Sequence, residues 1–70
     1  MKTTLDLQRI GSSGAGMIID AQKKTTLDLQ RIVSSSKGIV ILKNANSKTT
    51  LYLQRIASSG KERVIFDFTA

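Results

Sequence analysis

The sequence predicts an all-β fold: three tandem β-hairpin repeats, six short strands in all, forming a small pseudo-threefold barrel or a strongly curved sheet. Three observations carry that expectation. The chain repeats itself three times, each copy opens on a run in which apolar and polar residues alternate, and no proline interrupts the chain.

The repetition is unambiguous. Lys2 to Ile10 (KTTLDLQRI) recurs as Lys24 to Ile32 and, with Tyr52 in place of Asp, as Lys48 to Ile56. The units are therefore 2–23, 24–47 and 48–70 of a single domain. Extended through the next two serines, the copies agree at ten of twelve positions; Asp6/Asp28/Tyr52 and Gly11/Val33/Ala57 are the exceptions. The second halves have diverged, and only apolar character persists where Met17, Ile39 and Val64 begin them. Duplication followed by drift blurs both halves alike. A uniform block beside divergent partners points instead either to a constraint acting on the first half or, ahead of that, to one segment installed three times, as in an engineered or laboratory-evolved chain.

Each unit reads as two strands and a turn. In the middle copy, Leu27 and Leu29 alternate with Asp28 and Gln30, the period of a half-buried strand. Val33 to Gly38 is a small-residue turn. Ile39-Val-Ile-Leu42 is a second, more buried strand, and Asn44 to Ser47 turns the chain toward the next copy. The matching turns span 11–16 and 57–63 in the outer copies. One face of each hairpin then collects Leu5, Leu7, Met17 and Ile19; Leu27, Leu29, Ile39 and Ile41; or Leu51, Leu53, Val64 and Phe66. Such a core is thin for a 70-residue chain, so closure or oligomerisation is expected to hide the sheet edges.

Two other architectures compete. Thr25-x-x-Asp28 and Thr3-x-x-Asp6 resemble helix capping boxes. Against a helix, Leu27, Leu29 and Ile32 do not form a stripe of helical spacing, and the third copy lacks the acid. A parallel β-solenoid would stack Lys2, Lys24 and Lys48, and likewise Arg9, Arg31 and Arg55, as ladders of like charge, which disfavours it.

Composition removes several chemistries. The chain has no Cys and no His, hence no disulfide, thiolate metal site, thiol nucleophile or imidazole base. Its apolar runs are too short to span a bilayer, and no signal peptide or lipidation motif is visible. A cytoplasmic protein without membrane contact is expected, with no metal and no cofactor.

The motifs that look chemical read as polar turns. Ser34-x-x-Lys37 and Ser58-x-x-Lys61 match the S-x-x-K pattern of serine β-lactamases, but the first copy has Ala15 in place of the lysine. Gly11-Ser-Ser-Gly-Ala-Gly16 precedes a strand pattern and lacks the Gly-Lys ending of a phosphate loop, so it reads as a flexible hairpin turn. Among the acids, Asp6 and Asp28 are equivalent, but Tyr52 breaks a threefold acidic site. Ile39-Val-Ile-Leu-Lys-Asn and Leu51-Tyr-Leu-Gln-Arg-Ile-Ala-Ser58 resemble the late strands of bacterial Sm-like RNA-binding proteins, over about twenty of the 70 residues. The Lys-His pair and N-terminal helix of those ring-forming barrels are absent, and the likeness is one of generic β-hairpin chemistry.

The charge remains. Eleven Lys and Arg against five acids give +6. Lys2, Lys24, Lys48, Arg9, Arg31 and Arg55 occupy repeat-equivalent places, and Lys37 and Lys61 sit in equivalent turns. Related by rotation, they would form a positive ring that contacts phosphates. The leading expectation is a non-enzymatic symmetric scaffold with no natural ligand, assembling with itself as a homo-oligomer or by strand exchange. The alternative is a basic module binding RNA or single-stranded DNA, weakly and without sequence preference, through those eight residues.

Overall fold

Residues 3–69 are described by the computed structural model, and the repeated block is a helix in all three copies. Thr3, Thr25 and Thr49 are its N-caps. Their hydroxyls accept from the backbone N–H of Asp6, Asp28 and Tyr52 at 3.2, 3.2 and 3.3 Å. That bond needs only a backbone donor, so the third helix is capped although its acid is gone. The helices are α1 (Thr4–Ser12), α2 (Thr26–Ser35) and α3 (Thr50–Gly60).

Each helix leads into one short strand: β1 (Met17–Asp20), β2 (Val40–Lys43) or β3 (Val64–Phe66). Short 3₁₀ turns follow β1 (Ala21–Lys23) and β2 (Ala45–Ser47) and precede β3 (Lys61–Arg63). The strands pair in parallel in the order β1-β2-β3, while α1 packs on α2 and α2 on α3. A helix layer thus covers one face of an open parallel sheet, with equivalent residues side by side. The fold is α/β.

This overturns the all-β expectation on several counts. There are three strands among the described residues rather than six, no hairpin joins them, and the sheet does not close into a barrel. The stripe that was missing exists once Leu27 is left outside. Leu29, Ile32, Val33 and Ser36 follow the i, i+3, i+4, i+7 spacing, and all four are buried. Leu5, Leu27 and Leu51, expected in the core, are more than half exposed. The quoted likeness to Sm-like strands fails for the same reason, since residues 51–58 lie within α3.

The second half of the middle unit also stacks one residue away from its expected alignment. Met17 pairs with Val40 and Val40 with Val64, so Val40 and Leu42 face inward in place of Ile39 and Ile41. A one-residue shift exchanges the two faces of a strand. Asn44, in the left-handed region at φ 58°, takes up the extra residue and lets Ala45 sink, like Ala21, into full burial. The core between the layers comprises Ile19, Ala21, Leu29, Ile32, Val33, Val40, Leu42 and Ile56.

Stacking of like charges, the objection to a solenoid, is relieved in two ways. Packed helices lie about 8–10 Å apart, roughly twice the spacing of β-coils. In addition, the Lys48 ammonium donates to the backbone carbonyl of Lys24 at 2.8 Å.

Candidate functional site

The basic residues follow the helices. Arg9, Arg31 and Arg55 sit at the same place on three consecutive helices, and all are exposed. Their immediate partners differ. Arg31 approaches Asp28 at 4.0 Å, whereas the Arg55 guanidinium lies 6.0 Å from the Tyr52 ring centre, where the acid of the other copies is replaced. An exposed ion pair of that length contributes little, so Arg31 keeps most of its charge available to solvent.

The other basic residues do not join them in a ring. Lys24 and Lys48 are half-buried just before the N-caps, and Lys48 is held by the Lys24 carbonyl. Lys37 and Lys61 are exposed beyond the opposite helix ends. A ten-residue helix is about 15 Å long, which separates these rows from one another. Lys2 lies outside the described residues. The threefold ring is thus replaced by a row of three arginines with flanking lysines, because the repeats are related by translation along a stack and not by rotation about an axis.

An open groove of about 360 Å³ runs between α2 and α3, lined by Gln30, Gln54, Arg55, Ser58 and Ser59. Gln30 crosses it to donate to the Ser59 hydroxyl at 3.3 Å. A second depression of about 270 Å³ is lined by Gln22, Asn44, Asn46, Ser47 and Thr69 at the end of the sheet that leads into the 3₁₀ turns. There the Asp20 carboxylate accepts from Asn44 Nδ2 and from the Gln22 N–H, which holds its pKa below the ordinary carboxylate value. Asp67 is lowered likewise by the Thr69 hydroxyl and N–H. Sequence reasoning missed these asparagine and glutamine positions. The recurrence of Gln8, Gln30 and Gln54 was the available signal.

The chemical-looking motifs have structural roles. Ser34 donates to the Arg31 carbonyl at 3.0 Å inside α2, so it occupies a helix turn rather than a loop. Gly11 and Ser12 end α1 and Gly14 turns the chain at φ 99°, so that segment follows a helix C-terminus, the wrong end for a phosphate. Among the described residues no three acids gather as a metal site, and no helix is long and apolar enough to cross a membrane. No protein-family model matches the chain, and neither a curated protein nor a solved structure is similar to it.

Proposed function

We propose that this chain is a non-enzymatic repeat scaffold, engineered or laboratory-evolved, in which each unit completes the fold of the next. One observation carries the reading. The junction between units is built twice with the same chemistry: Gln8 donates to Ser35 at 3.1 Å, and Gln30 to Ser59 at 3.3 Å. Around those bonds the middle unit alone has Leu29, Ile32 and Val33 all fully buried, because it is covered on both sides. Stability in such a stack is a sum of unit and nearest-neighbour contributions. Inserting a second copy of residues 24–47 after Ser47 is expected to raise both the urea midpoint and the slope of unfolding. Equal or lower values would sink the reading.

The exposed row of Arg9, Arg31 and Arg55 favours a second reading, a surface that follows the phosphates of RNA or single-stranded DNA. Fluorescence anisotropy with a labelled oligonucleotide tests it. Three phosphate contacts give a log–log salt slope of about −2 for a single strand. Absence of binding at about 50 mM salt excludes this reading.

A further inference from the structure

The two interior junctions show what one unit offers the next, and the outer units carry the unused halves. Gln54 holds on α3 the place that Gln8 and Gln30 hold on α1 and α2, and its amide has no partner among the described residues. Ser13 is the equivalent of Ser35 and Ser59. Its hydroxyl is turned onto the Arg9 carbonyl at 3.1 Å, as the Ser59 hydroxyl is turned onto that of Arg55 at 3.1 Å. No glutamine reaches Ser13 among the described residues.

The backbone and the core are open at the same two margins. The order β1-β2-β3 leaves the outer edges of β1 and β3 unpaired among the described residues. Ile10 is 39% exposed, whereas its equivalents Ile32 and Ile56 are fully buried. At the other margin Phe66 is half-buried where Leu42 is fully covered. These margins are unlike each other, and each has the form of one side of an interior junction.

We infer that a second copy of this chain docks head to tail, its β1 beside β3 and its α1 beside α3. Continuing the register Met17–Val40–Val64 sets the second copy's Met17, Ile18 and Ile19 beside Val64, Ile65 and Phe66. Gln54 then meets the second copy's Ser13 as Gln30 meets Ser59. The contact is heterologous, so each added copy presents the same open margin again and the series continues. One charge opposes it. Asp20 faces Lys43 at the first interior junction, whereas Asp67, the residue after β3, would face the second copy's Asp20. The inference rests on the scaffold reading, because it treats the outer units as equivalents of the inner ones.

Sedimentation velocity over a concentration series, with far-UV circular dichroism in parallel, tests it on the full chain, Ile18→Pro and Asp67→Lys. Met17 N–H bonds the Ile39 carbonyl at 3.0 Å, so alternation turns the Ile18 N–H to the outer edge, where proline removes only the intermolecular donor. The parent is expected to populate successive multiples of 7.6 kDa as concentration rises. Ile18→Pro should stay at the monomer mass with its helical signal intact. Asp67→Lys, which sets an opposite charge beside the second copy's Asp20 while placing a like charge next to Lys43 in its own chain, should shift assembly to about two- to fivefold lower concentration. A folded parent that stays monomeric, or that stops at a dimer, overturns the inference and leaves the scaffold reading standing. A parent without helical signal overturns both. If Ile18→Pro unfolds, Asp67→Lys decides: no shift in its assembly overturns the inference.

Discussion

Gln30 and Ser59 are joined across the α2–α3 junction by an amide-to-hydroxyl hydrogen bond of 3.3 Å, one unit after Gln8 makes the same bond to Ser35. The two bonds fasten neighbouring helices where side-chain packing gives way to solvent. Gln30→Ala is expected to lower stability by about 0.5–1.5 kcal/mol, the net worth of one such bond. Gln54→Ala, which removes no bond among the described residues, should leave the urea midpoint unchanged in dilute solution. Equal losses for the two variants would overturn the role given to the Gln30–Ser59 bond, because alanine is the better helix former and propensity alone would raise stability.

The caps separate what the threonines do from what the acids do. Thr25→Ala should cost about 1 kcal/mol, because it strands the Asp28 N–H in the first turn of α2. Asp28→Ala removes only an exposed ion pair at 4.0 Å and a favourable dipole contact, and should cost less than about 1 kcal/mol. Tyr52 in the equivalent place already shows that the acid is dispensable. Chemical denaturation of both variants, with the reverse ranking as the unfavourable result, checks the assignment.

Gly38 lies where the chain leaves α2 for β2, against the loop of the preceding unit. A Cβ there would stand 2.7 Å from the Gly14 carbonyl oxygen and 2.8 Å from that of Ala15. Both are backbone atoms and cannot swing aside. Gly38→Ala is expected to destabilise by about 1–3 kcal/mol, as overpacking generally does. Gly16→Ala meets one carbonyl at 3.3 Å and should be markedly milder in the same thermal unfolding assay.

Two half-buried carboxylates tie stability to pH. Asp20 is lowered by Asn44 first and the Gln22 N–H second, and Asp67 by Thr69. A depressed native pKa means that the unfolded chain binds more protons, so their contribution is complete above the unfolded value near 3.9 and is lost as pH falls below it. The melting temperature should therefore decline on acidification through that window. Asn44→Ala, which removes the leading cause at Asp20, should make the decline shallower; an unchanged acid limb would contradict the role given to Asn44.

Much of this organisation is written in the chain. The threefold block, its boundaries at 2, 24 and 48, and the threonine preceding each helix are explicit. The polarity of the strands was not legible, because parallel neighbours need a crossover and the helices that supply it read as strands. Leu-Asp-Leu-Gln misled because a short alternating run fits a strand as well as a helix of which only the second leucine is buried. Of its partner positions, Ile32 closed the repeated block, whereas Val33 and Ser36 lay in what read as a turn. The eight basic residues were all visible, but not their arrangement.

The sequence by itself determined that three near-identical units exist, that a threonine pair opens each of them, and that the chain carries +6 with neither thiol nor imidazole. Only the tertiary structure decided which leucine is inside, that Val40 rather than Ile39 stacks on Met17, and that the arginines form a row instead of a ring. The reason is that caps are local, made within three residues of the threonine. Burial and register belong to neighbours: Leu29 is inside because α1 and α3 flank it, and no property of residues 24–35 alone supplies those flanks.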